Sequence, residues 1–137
     1  MLIEEPEAHL HPIKQRMIAD IISFFVNAGT YMQITTHSDY FLRRLNELIN
    51  LKKISQRYIE IPDKYIQICD SLHINPALAV DYDKISAYLL TKRSDGTTQI
   101  TKQDIDEGVP FASFTKAIDD SLCLGFKIQE YLTDETA

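Results

Sequence analysis

The chain has 137 residues, 45% of them hydrophobic and 25% charged, the balance of one ordinary globular domain. Its 14 Lys and Arg against 20 Asp and Glu leave a net charge of −6, which excludes a global electrostatic pull toward nucleic acid or anionic lipid. The four glycines, Gly29, Gly96, Gly108 and Gly125, are too scattered for a GxxxxGK(S/T) or GxGxxG phosphate loop, so this chain is not expected to handle a nucleotide alone.

Cys69 and Cys123 have no CxxC companion, so the reduced thiols of a cytoplasmic protein are expected. The most apolar stretch, Ile18 to Val26, is interrupted by Asp20 and Ser23, and neither a membrane span nor a secretory leader is expected.

In chain order, Met1-Leu2-Ile3 reads as a short strand running into the carboxylates Glu4, Glu5 and Glu7. Pro12 is a good first-turn residue, and Ile13, Met17, Ile18, Ile21, Ile22, Phe24 and Phe25 recur at helical spacing up to Asn27, with Gly29 suited to a left-handed C-terminal cap. Tyr31 to Thr36 predicts a second strand, completing a βαβ unit with parallel strands. Ser38 or Asp39 can cap a helix from about Tyr40 to Ser55 whose stripe is Phe41, Leu42, Leu45, Leu48, Ile49 and Leu51. A short helix is expected over Asp63 to Leu72. Ile85 to Thr91 and Thr97 to Thr101 flank Ser94-Asp95-Gly96, a strong hairpin signal. A last helix near Phe111 to Ser121 precedes an acidic tail at Asp134 to Ala137, expected to fray. The fold class is α/β: a βαβ core followed by a β-hairpin and helices.

Two adjacent carboxylates at the C-terminal end of a parallel strand lie where open α/β sheets bind ligands. Consecutive strand residues face opposite sides, so Glu4 and Glu5 take different tasks: one can hold Mg²⁺ and the other can orient an attacking water. The next strand ends in Thr35-Thr36-His37-Ser38, and a histidine there would reach the same crevice as Glu5, where it could polarise that water or donate to a terminal phosphate.

LIEEPEAHLHP, followed after one helix by QITTHSDYFLRRLNELI, resembles the C-terminal half of an ABC-type ATPase domain. The nearest branch is the one related to SMC, RecF and OLD proteins, often called AAA-type ATP-binding domains. The resemblance implies a partial P-loop NTPase fold. Residues 1–60 would form the end of the ATPase core and 61–137 a C-terminal extension with a helix, the hairpin and a terminal helix. It also implies Glu4 on Mg²⁺ at the end of the Walker B strand, Glu5 as catalytic base, and Ala8, His9 and His11 in the D-loop. His37 becomes the switch histidine, with Ser38 beside it in the nucleotide-contacting loop. Mg²⁺ and ATP belong to the completed site only, because Walker A, the Q-loop and the ABC signature do not precede these motifs here. His11 stands where many ABC ATPases carry Asp.

The expected partner is a second copy of the chain or an ATPase half bearing Walker A, with DNA reached only through the full complex. A non-catalytic interaction module, either a gene remnant or one half of a split ATPase, is the alternative. A small metallohydrolase using Glu4, His9, His11 and His37 is a third reading, disfavoured because the HxH pair sits in a turn before Pro12. His73 reads as an ordinary surface or half-buried histidine. Arg43, Arg44, Lys52, Lys53 and Arg57 make the second helix basic, which favours a solvated face over a DNA contact. Asp104-Ile105-Asp106 is a bare DxD, too little for a Toprim nuclease. Lys14 and Gln15, in the first helical turn, receive no task.

Overall fold

The structure, a computed structural model, describes residues 1–110 and 112–134. Their fold is mixed α/β, with four helices and two small sheets. In order these are β1 (Leu2–Glu4), α1 (Pro12–Asn27), β2 (Gln33–Thr35), α2 (Asp39–Arg57), α3 (Pro62–Leu72), β3 (Tyr88–Lys92), β4 (Thr98–Lys102) and α4 (Ala112–Asp134), with 3-10 turns at Pro76–Leu78 and Tyr82–Lys84. Phe111 and the tail beyond Asp134 lie outside the described residues; Asp134 itself ends α4.

β1 and β2 pair in parallel, with Leu2 opposite Gln33, Ile3 opposite Ile34 and Glu4 opposite Thr35. Ile3 and Ile34 share the half-buried face, whereas Leu2, Glu4, Gln33 and Thr35 are exposed. β1 has the expected three residues shifted by one, whereas β2 is shorter than the predicted Tyr31 to Thr36. Thr36 leaves the ladder because its hydroxyl turns to Glu7.

α1 starts at Pro12, with His11 as N-cap, its Nδ1 accepting from the Ile13 amide at 3.4 Å. It ends on Gly29 at φ +91°, where the Gly29 and Thr30 amides donate to the carbonyls of Val26 and Phe25. The apolar positions of α1 do not form one stripe. Ala19 and Ile22 are buried and Ile18 and Val26 half-buried, while Ile13, Met17, Ile21, Phe24 and Phe25 are exposed. The helix is apolar on two sides, and only one of them meets the core.

α2 follows its predicted stripe: Phe41, Leu42, Leu48, Ile49 and Leu51 are buried and Leu45 is half-buried. Complete burial of a Leu or Ile contributes about 2 kcal/mol. α1 and α2 pack through Ala19, Ile22, Phe41 and Leu42, and Ile105 and Val109 close that cluster. A second cluster joins Leu48 and Leu51 of α2 to Cys69 of α3. Segments on both sides of residue 60 therefore share the same cores.

Ion pairs stitch the helices outside the core. Arg44 grips Asp20 with two bonds, 2.7 and 3.2 Å, and Arg16 grips Glu47 with two, 3.2 and 2.8 Å. The hydrogen bond to Asp20 holds the Arg44 guanidinium above its already high ordinary value. Burial pushes the Tyr65 hydroxyl up, aided by Cys69, and that hydroxyl donates to the Pro76 carbonyl at 3.0 Å. The hairpin is antiparallel, with Leu90 opposite Ile100. Its second strand starts at Thr98 because Thr97 is held in the turn, donating through N–H and hydroxyl to Asp95 at 2.9 and 2.7 Å. Ile85 to Ala87 stay outside β3, since a 3-10 turn capped by Asp81 precedes them.

Candidate functional site

The candidate site forms where β1 and β2 end together. The Glu5 amide continues the ladder by donating to the Thr35 carbonyl at 2.9 Å, and it also reaches the Thr35 hydroxyl at 3.3 Å. Glu5 then turns the chain at φ +42°, a left-handed conformation rare for a residue with a side chain, and His9 repeats it at φ +64°. Between them the Ala8 amide donates to the Glu5 carbonyl and the Leu10 amide to the Glu7 carbonyl. These bonds fold residues 5–10 into a compact double turn, although no glycine is present to ease it.

Across the strand ends His37 Nε2 lies 3.3 Å from Glu5 Oε1, with the imidazole 83% and the carboxylate 49% exposed. The two groups predicted to share a crevice are side by side and open to solvent. An exposed pair of this kind adds little stability. A carboxylate can accept a proton from water there, and the imidazole beside it can hold or donate a hydrogen bond.

The remaining predicted residues divide. Glu4 is exposed at the end of β1, and Ala8 and His9 are exposed in the double turn. His11 is engaged as the cap of α1. Ser38 is buried, and its hydroxyl is committed twice: it accepts from the Phe41 amide at 3.0 Å, capping α2, and donates to Gln15 Oε1 at 2.5 Å. Glu4, His9, His11 and His37 do not converge: among the described residues no group of three or more His, Cys, Asp or Glu could hold a metal ion. Glu4 can offer Mg²⁺ one exposed carboxylate, and Mg²⁺ takes one or two protein carboxylates together with phosphate oxygens and water. Among the described residues the donor set is thus that single exposed carboxylate, short of a cage.

Three residues that sequence reasoning passed over hold the site together. Glu7 is only 5% exposed, and its Oε1 accepts from the Thr36 hydroxyl at 2.5 Å and the His37 amide at 3.1 Å. Thr36 Oγ1 in turn accepts from the Ser38 amide at 3.0 Å. Gln15 binds the Ser38 hydroxyl and donates from Nε2 to the Leu10 carbonyl at 2.8 Å, tying the end of the double turn to the start of α2. In the sequence Glu7 stands as one more acid of the Glu4, Glu5, Glu7 run, and nothing there marks it as buried.

The basic residues of α2 are largely spoken for within the chain. Arg43 pairs with Asp39, Arg44 with Asp20 and Glu47, and Lys53 bonds the Asp106 carbonyl. The DxD is a local turn in which Asp104 Oδ1 accepts from the Asp106 amide at 3.0 Å. His73 is the exposed, left-handed C-cap of α3. Cys69 is buried and Cys123 exposed, both as free thiols. No helix among the described residues is long and apolar enough to cross a membrane.

No family model matches the chain, and neither a curated protein nor a solved structure matches it.

Proposed function

We propose that this chain is the hydrolytic half of an ABC-type, P-loop ATPase site, inactive by itself and completed by an ATPase partner that bears the phosphate loop. The observation that carries the reading is the 3.3 Å pairing of Glu5 with His37 at the joint C-terminal ends of two parallel strands. In that role Glu5 orients the attacking water and accepts its proton, and His37 donates to the terminal phosphate. Glu4 would hold the Mg²⁺ of a bound nucleotide, which would supply charge to the phosphates. The exposed double turn carrying Ala8 and His9 faces the partner as a D-loop.

The test is phosphate release from ATP and Mg²⁺, measured for the chain alone and for its complex with a partner bearing a phosphate loop. The chain alone is expected to give no turnover. The complex is expected to hydrolyse ATP, with Glu5→Gln slowing it at least about 100-fold and His37→Ala about tenfold or more. Turnover by the isolated chain that Glu5→Gln abolishes, or a complex indifferent to Glu5→Gln, overturns the reading.

A non-catalytic interaction module is the second reading, favoured by the outer face of α1. Ile13, Met17, Ile21 and Phe24 stand in line there, 50 to 66% exposed, and a monomer gains nothing from such a face. Light scattering showing a clean monomer across micromolar concentrations counts against it.

A further inference from the structure

The buried carboxylate beside the site has no role in the chemistry above, yet the Thr36 hydroxyl and the His37 amide are both anchored to it. We infer that Glu7 is the positioning residue for His37: through a single oxygen it fixes the Thr36 side chain and the His37 backbone, and so sets the imidazole against Glu5. The inference rests on the reading of Glu5 and His37 as the reacting pair.

Three features support it. Glu7 Oε1 receives both donors, the Thr36 hydroxyl at 2.5 Å and the His37 amide at 3.1 Å, from the residues that turn the chain out of β2. The bond to the His37 amide crosses from the double turn after β1 to the loop after β2, so movement of one drags the other. The imidazole itself is 83% exposed, and its one polar contact among the described residues is Glu5. Packing does not hold this ring; its backbone does.

The other carboxylate oxygen sharpens the chemistry. Glu7 Oε2 is buried and meets no hydrogen-bond donor among the described residues. A glutamine can therefore keep its carbonyl oxygen on Thr36 and His37 and place its amide nitrogen where Oε2 was, with no donor there to oppose it. A methionine fills similar space and leaves both donors without an acceptor. Glutamine should preserve the geometry and methionine should lose it, although both remove the charge.

The test uses the isotope-labelled full chain without nucleotide. Glu5→Gln is made in the wild-type, Glu7→Gln and Glu7→Met backgrounds, and the resulting shift of the His37 imidazole NMR signals is read in each. The expected shift is retained in Glu7→Gln and falls to less than half in Glu7→Met. Exchange of the His37 amide is expected to quicken about tenfold or more in Glu7→Met while the Leu48 amide keeps its wild-type rate. A full Glu5→Gln shift in Glu7→Met, or equal loss in both Glu7 variants, overturns the inference. Should Glu7→Met unfold the chain, Thr36→Val decides: a reduced shift supports the inference and an unchanged one overturns it. Because no ATP enters the measurement, failure here leaves the ATPase reading standing, and failure of the ATPase assay leaves this result standing.

Discussion

The two sheets differ in what holds them. β3 and β4 pair over five residues each, and every one of those residues is exposed. β1 and β2 pair over only three, but Ile3 and Ile34 are half-buried and the loops leaving both strands are locked by Glu7, Thr36, Ser38 and Gln15. The hairpin sets its own register through the Asp95-Gly96 turn. The parallel pair has no such local device, because about thirty residues separate its strands, and its register is fixed by α1 and α2 packing together. Candidate chemistry sits on the shorter sheet, since only there do two strand ends from distant parts of the chain arrive at one place.

Core truncation breaks this comparison most forcefully. Leu48 is fully buried, so Leu48→Ala is expected to cost about 3 kcal/mol, whereas Leu90→Ala on the hairpin should cost less than about 0.5 kcal/mol. Urea unfolding followed by far-UV circular dichroism measures both; equal losses would show that the hairpin packs as tightly as the core. Next in size is the tie between α2 and the segment following β4. Asn46 accepts from the Val109 amide at 2.6 Å and donates to the Val109 carbonyl at 2.9 Å, so Asn46→Ala should cost about 2 kcal/mol. Gly108→Ala attacks the same joint from the other side. Its φ is +105°, and a Cβ there would lie 2.8 Å from the Asn46 side chain, so a loss of about 1–3 kcal/mol is expected in the same assay.

Element type was legible in the sequence wherever local signals decide it. Pro12 starts a helix, Gly29 stops it, and Asp95-Gly96 turns the hairpin. The approach of His37 to Glu5 was legible too, because a βαβ unit brings the ends of its strands together. Three things were not. The apolar residues of α1 have helical spacing on both sides, so periodicity alone could not say that Ile22 is buried while Ile21 and Phe24 are exposed. Ser38 reads equally as a site residue or a cap until its hydroxyl is found between Phe41 and Gln15. Glu7 looks like one more solvated acid, and its burial depends on Thr36, 29 residues further along the chain. A hydrogen bond between loops that distant leaves no spacing pattern to read.

The hairpin invites a gentler perturbation. Gly96 sits at φ +87° with open space where an added methyl group would stand, so Gly96→Ala meets no steric clash and costs only the conformational penalty, about 1 kcal/mol. The loss should fall on the hairpin, as weaker cross-strand NMR contacts between Leu90 and Ile100, with the urea midpoint of the core unchanged. A midpoint that moves with the hairpin would mean that the two sheets unfold as one unit.

The smallest expected effect concerns pH and the ion pairs on the α1–α2 seam. Burial alone would push the Glu47 carboxyl up, but hydrogen bonds from Arg16 and Arg44 outweigh it and hold the group below its ordinary 4.5. A carboxyl that is more acidic folded than unfolded binds fewer protons in the folded state, so stability rises with pH between the two values. The contribution is fully present above about pH 5.5 and is lost as the pH falls through the folded value, below 4.5. The Glu47 side chain is 42% exposed, and solvent screening keeps the effect under about 1 kcal/mol. Urea midpoints of wild type and Glu47→Gln should therefore differ at pH 7 and converge as the pH falls through the folded value. The hairpin supplies the control. Asp95 is also held below its ordinary value, by the Thr97 hydroxyl first and the Thr97 amide second, but it is fully exposed. Acid should loosen that turn locally while leaving the convergence of the two core midpoints unaffected, and an Asp95→Asn variant that converges with wild type in the same way as Glu47→Gln would place the acid-sensitive contact in the hairpin instead of the seam.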